Sequence, residues 1–157
     1  MSVVELSLEI AAPIEVVFDL SRSVEVHLES TRASGERALS GVTSGLLELG
    51  DEVTWQATHF GIRQRLTSRI TAFDRPRHFR DSMQSGAFKR FDHDHSFTPT
   101  AAGTLVLDRF DFTAPLGPLG AVADWLFLQR YMRRFIEVRL RAIQAIAVSD
   151  RAREFLG

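Results

Sequence analysis

The sequence predicts an α+β fold in which an antiparallel meander of strands is followed by one long C-terminal helix. Three observations predict it. Successive stretches between residues 36 and 112 alternate apolar and polar side chains, the period of a half-buried strand. The breaks between them are short and carry turn chemistry: Phe60-Gly61, Asp74-Arg75-Pro76, Ser85-Gly86 and Thr100-Ala101-Ala102-Gly103. Short connections of this kind join antiparallel neighbours. After PLGPLG, residues 115–120, the apolar period changes to 3.6.

The elements come in a definite order. Residues 3–10 alternate and read as the first strand. Pro13 opens a short helix, IEVVFDLSRS, because proline is favoured in a first helical turn. A second short helix, VEVHLEST, begins at Val24. Residues 37–40 are a short candidate strand, followed by the glycine-bearing SGVTSGLLELGD. Further strands are expected at 52–60, 63–73, 78–84, 88–98 and 104–112, which makes about seven in all. One long helix is expected over 121–147, where Trp125, Leu128, Met132, Phe135, Arg139, Ile143 and Ile146 fall close to one stripe. The arginines of QRYMRRFIEVRLR read as a solvated face. No repeat or linker interrupts the chain, so a single domain over residues 1–149 is expected, with a polar C-terminal tail at 150–157.

Composition excludes several classes. The 157 residues are 45% hydrophobic and 25% charged, enough for a sizeable core. A net charge of -1 gives no bulk attraction to nucleic acid or to an anionic membrane. There is no cysteine, so disulfides, thiol nucleophiles and cysteine zinc sites are excluded, and a reducing cytoplasm is the expected location. MSVVELSLEI lacks the charge and apolar run of a signal peptide, and no apolar stretch reaches the ~18 residues of a membrane span. SGVTSGLLELGD lacks the Gly-Lys-Ser/Thr of a P-loop, and no serine sits on a nucleophile elbow.

Alternation also assigns inward faces. On 52–60 the set Val53, Trp55, Ala57 and His59 is the more apolar. On 78–84 it is Phe79, Asp81 and Met83; on 88–98 it is Phe91, His93, His95 and Phe97. On 104–112 it is Val106, Asp108, Phe110 and Phe112, because the other face carries two charges. A hairpin turn around Thr100-Ala101 sets Phe97 opposite Thr104 and His93 opposite Asp108. A two-residue slip sets Asp108 opposite His95 instead. In either register a buried carboxylate meets an imidazole, which offsets its desolvation.

The element order, together with GDEVTWQATHFG, ITAFDRPRHFRDSMQSGAFKRFDHDHSF and FTAPLGPLG, resembles the helix-grip fold of the START/Bet v 1-like (SRPBCC) superfamily. The bacterial branch it resembles is described as ligand-binding or polyketide cyclase/dehydrase-like. SGVTSGLLELGD departs from the tight glycine cluster of plant Bet v 1 proteins. The resemblance covers nearly the whole chain and implies a curved sheet wrapped around the long helix with a cavity between them. The apolar lining would then be Trp55, Met83, Phe91, Phe97, Phe110, Phe112, Leu128, Met132 and Phe135. His59, Asp81, His93, His95 and Asp108 would supply polar contacts. The implied function is binding a small apolar or amphipathic molecule, with no cofactor, nucleic acid or membrane span. One alternative is a cyclase, dehydratase or isomerase using a pair drawn from His93, His95 and Asp108. A second is a protein-binding module, which a large exposed apolar patch would favour. The oligomeric state, monomer or homodimer, stays open.

His93 and His95 admit three roles. They could be packed rings bonded to Asp108, Asp81 or backbone, the common state of a buried histidine. They could be polar anchors, or an acid–base pair, in a mostly apolar pocket. They could ligate a metal with His59 and Asp108, since His-x-His puts two imidazoles on one face. The last is the least expected, because the fold usually works without metal. His59 divides between packing and ligand contact. His27 faces either the cavity entrance or water, and is assigned to the surface; His78 is assigned to the outer face.

Overall fold

The computed structural model describes residues 2–156. Seven antiparallel strands form one sheet in the order β1-β7-β6-β5-β4-β3-β2. They are β1 Ser2–Ile10, β2 Arg37–Gly41, β3 Glu52–His59, β4 Ile62–Asp74, β5 His78–Ser85, β6 Arg90–Thr100 and β7 Gly103–Thr113. Strands β2 to β7 are a continuous meander, and β1 pairs with β7, not with β2. Between β1 and β2 lie α1 (Ile14–Ser21) and α2 (Val24–Ser30). Pro13 caps α1 in extended conformation, and the Ser23 hydroxyl caps α2 by accepting from the Val26 amide at 3.3 Å. The C-terminal helical segment crosses the inner face of the curved sheet, giving the helix-grip arrangement.

That segment is not one uniform helix. It comprises α3 (Gly117–Ala123), a π-turn (Asp124–Leu128) and α4 (Gln129–Ala147). A π-turn takes up one extra residue and rotates the helix before it relative to the helix after it. Leu128, Met132, Phe135, Arg139, Ile143 and Ile146 keep their inward stripe. Trp125, expected on that stripe, is instead exposed, and Asp124 is buried against the Ser2 hydroxyl. The expected polar tail is also corrected. Ala152–Leu156 form α5, and Ala152, Phe155 and Leu156 pack against the core, an apolar spacing of one helical turn.

The β6–β7 hairpin takes the slipped register. Ala101-Ala102 form the loop, Phe97 pairs with Val106, and His95 pairs with Asp108. Gly103 holds φ 151°, and a Cβ there would stand 2.2 Å from the Ile10 carbonyl oxygen. Only glycine lets the hairpin turn this close to the end of β1.

The core is solid at one end. Phe18 of α1 meets Phe73, Phe79 and Phe97 edge-on at 5.5, 5.4 and 5.1 Å between ring centres. Ile136, Leu140, Ile143 and Ile146 of α4 are fully buried there. The N-terminal part of the same helical segment is mostly exposed, and this difference leaves space against the sheet. No helix among the described residues is long and apolar enough to cross a membrane.

Candidate functional site

A cavity of about 380 Å³ lies between the inner face of the sheet and α3–α4. Of the residues anticipated from sequence, Trp55, His59, Asp81, Phe91, His93, His95, Phe110, Leu128, Met132 and Phe135 line it. Four do not. Phe97 and Phe112 are closed inside the packed core, and Met83 packs against the edge of that core. Asp108 is wholly buried behind His95. All four share a face with lining residues, but sheet position, which alternation does not encode, decides which part of the inner face meets the gap.

At the inner end of the cavity the polar side chains form one chain of contacts. His95 has Asp108 Oδ1 2.9 Å from its Nδ1 and Asp81 Oδ2 2.8 Å from its Nε2. Arg139 donates from Nη1 to Asp108 Oδ2 at 3.2 Å and from Nη2 to the Ser21 carbonyl at 2.7 Å, at the C-terminus of α1. An imidazole flanked on both nitrogens by carboxylates donates from both, so it is held as imidazolium. Burial pulls the His95 pKa down, but Asp108 and Asp81 outweigh it and raise it above the ordinary value. Burial pushes the two carboxylates up, yet His95 and the neighbouring hydrogen bonds hold Asp81 low and Asp108 well below its usual range. Two anions thus face two cations, and the cluster is neutral overall.

His93 is different. Its ring lies 4.0 Å from that of His95, and its Nε2 is 3.6 Å from Asp108 Oδ2, too far for a hydrogen bond. That nitrogen is buried without a hydrogen-bond partner among the described residues. Burial, and then the like charge of His95, push the His93 pKa down, so the ring is neutral. Of the two carboxylates only Asp81, with 23% of its side chain exposed, remains reachable.

A second polar group lines the cavity where β3 meets α4. His59 Nδ1 hydrogen-bonds the Tyr131 hydroxyl, and burial lowers the His59 pKa and raises that of Tyr131. Nearby, His27 Nε2 is 2.7 Å from Glu36, and its ring lies 4.3 Å from Trp55. The Trp55 indole donates to Ser68 at 3.2 Å. His27 therefore lines the cavity and is not a surface group. His78 bonds Asp94 at 2.7 Å on the outer face, as alternation assigned it.

Sequence reasoning missed Tyr131, Glu36 and Phe88 as lining residues and did not single out Arg139. Arg139 had a signal: a lone cation inside an apolar helical stripe needs a buried partner. Tyr131 and Glu36 had none, because only the tertiary arrangement brings them to the wall.

Asp81, His93 and His95 each offer a donor atom within 4.8 Å of the others, so they are the residues that could hold a metal ion. Neither His59 nor Asp108, both expected from sequence, is part of that group, and Asp81 takes their place. A divalent ion would have to break the 2.8 Å contact between His95 and Asp81. It would also stand in a cluster that Arg139 already partly neutralises. Chemically, the half-buried Asp81 accepts hydrogen bonds, and the neutral His93 beside it offers an unpartnered ring nitrogen that can take or give a proton.

A sequence model of the family described as polyketide cyclase/dehydrase and lipid transport matches residues 1–147. No curated protein matches the chain significantly in sequence. Among solved structures, the Thermus thermophilus protein TTHA0849 is similar with a TM-score of 0.76 at 19% identity, covering 94% of this chain and 97% of that one. A START superfamily protein from Mycobacterium smegmatis gives 0.69 at 14%, covering 92% and 96%. Major latex-like protein 151 from Panax ginseng gives 0.65 at 16%, covering 94% and 98%. At these identities the likeness is one of fold.

Proposed function

This chain belongs to the polyketide cyclase/dehydrase and lipid transport family, and from that premise we propose that it binds a small, largely apolar molecule between its sheet and α4. The ligand's inner end carries a hydroxyl that donates to Asp81. One observation carries this reading: a cavity of about 380 Å³, walled mainly by aromatic and aliphatic groups, ends at a charge-balanced cluster with one reachable acceptor. Ligand sites of ~300–1,000 Å³ commonly combine apolar walls with a few directed polar groups. A ligand carboxylate would face Asp81 as a like charge, so a neutral hydroxyl is preferred.

Native mass spectrometry of the purified protein tests for a retained molecule. Displacement of anilinonaphthalene sulfonate by 1-decanol and by decanoate tests the chemistry. Stronger displacement by the alcohol, weakened in Asp81→Ala, supports the reading. Absence of dye binding, or preference for the acid, refutes it.

The unpartnered nitrogen of His93 favours a second reading, in which the same cavity carries out a proton transfer of the dehydration or isomerisation type. There His93→Gln keeps ligand affinity and loses turnover; a pure carrier changes affinity alone.

A further inference from the structure

The cavity opens beneath a surface that is both apolar and basic. Trp125 is 80% exposed, Leu116 75%, Leu119 70% and Ile62 62%, with Phe60 and Phe127 also exposed. The two segments involved, the β3–β4 turn and α3 with its π-turn, touch through Phe60 and Phe127, whose rings lie 5.6 Å apart. Phe60, Leu116, Leu119 and Phe127 line the cavity as well, so the patch and the cavity share walls. An exposed apolar surface of this extent marks a docking site.

Charge selects the occupant. Between residues 115 and 136 the single acid is Asp124, and it is buried against Ser2. Arg130 and Arg134 lie one and two helical turns beyond Leu126. Both are exposed, and neither forms an ion pair among the described residues. A second copy related by a twofold axis would set these cations against their own counterparts. An anionic lipid surface would neutralise them and accept the apolar side chains, with Trp125 placed as an interfacial anchor.

We propose that this face docks the cavity mouth onto an anionic lipid bilayer, so that an apolar ligand passes between bilayer and cavity without crossing water. The transfer role rests on the ligand-binding reading above; the docking rests on the patch and its cations.

The test is flotation of the full chain with vesicles of phosphatidylcholine alone and of phosphatidylcholine mixed with phosphatidylglycerol. The chain is expected to float with the mixed vesicles and not with the neutral ones. Its tryptophan emission should shift to the blue, and the shift should be absent in Trp125→Phe, where Trp55 still reports. Arg130→Gln with Arg134→Gln should weaken partitioning roughly thirtyfold, from about 1 kcal/mol for each cation. Cavity binding of dye without vesicles should be unchanged in that variant. A wild-type chain that does not float with anionic vesicles overturns the docking, as does flotation indifferent to the two arginines. Sedimentation showing a dimer that Trp125→Asp dissociates also overturns it, by assigning the face to a second copy. Dye binding without flotation removes the docking alone. Flotation of a chain that binds no dye removes the ligand-binding reading, and the transfer role with it.

Discussion

His95 lies between two carboxylates, with Asp108 2.9 Å from one ring nitrogen and Asp81 2.8 Å from the other, while Arg139 reaches Asp108 at 3.2 Å. These contacts tie β5, β6, β7 and α4 into one buried network. The Arg139 contact with the Ser21 carbonyl adds the end of α1. The cluster thus fixes the helix to the sheet at the boundary between solid core and cavity.

Stability should depend on pH through this cluster. The His95 pKa in the folded state is raised by the flanking carboxylates. Its contribution is therefore complete below the unfolded value of about 6.5 and is lost as pH rises through the folded value. Asp81 and Asp108 are shifted down. Their contributions are present above about 3.9 and are lost as pH falls through their folded values. His93, also shifted down, adds to the acid side, because the unfolded chain takes up its proton first. Thermal unfolding should show wild type losing stability from neutral to alkaline pH and His95→Gln losing less. Parallel alkaline limbs for the two proteins would contradict the assignment.

Removing one partner of the buried Asp108–Arg139 pair strands a charge. Asp108→Leu is expected to cost about 3–5 kcal/mol in urea unfolding, and Arg139→Leu a similar amount. The double variant Asp108→Leu with Arg139→Leu should recover much of that loss, since apolar replacements of a buried pair are often neutral. Strict additivity of the two single losses would show that the pair is not coupled.

Filling the cavity should separate binding from folding. Ala57 is buried in β3 and lines the cavity. Ala57→Phe places a ring in open space, so its cost should stay within about 1–3 kcal/mol, the range for moderate overpacking. Dye affinity should fall by an order of magnitude or more. Retained affinity would place the ligand elsewhere.

The His59–Tyr131 contact can be read by titration. Burial keeps the His59 pKa below its ordinary value, so its ring resonances should titrate at lower pH than those of a free imidazole. Tyr131→Phe removes the hydroxyl and should cost about 0.5–1.5 kcal/mol, the usual net worth of one hydrogen bond. An unchanged stability and titration would mean the bond does not persist in solution.

Much of the site was legible because strand alternation is strict. Once β3, β5, β6 and β7 are located, Trp55, Asp81, His93 and Phe110 are assigned to the inner face without coordinates. Alternation does not say how far a helix stands from a sheet. Phe97 and Phe112 carry the same signal as Phe91 and Phe110, yet Phe18 of α1 closes over Phe97, and Phe112 lies buried beneath Phe88 and beside Phe110. Trp125 was misplaced for a related reason: a π-turn leaves no mark in a 3.6-residue pattern, and one extra residue turns a side chain from the core to the surface.

The chain by itself determined the order of strands and helices, the inward faces, and the meeting of a histidine of β6 with a carboxylate of β7. Those depend on local periodicity and turn chemistry, which are written residue by residue. Tertiary structure decided which histidine meets Asp108, that Arg139 and Asp81 complete the cluster, and that the helix stands off the sheet at one end. These outcomes depend on hairpin register and on the distance between packed layers, quantities set by the sum of contacts across the whole core.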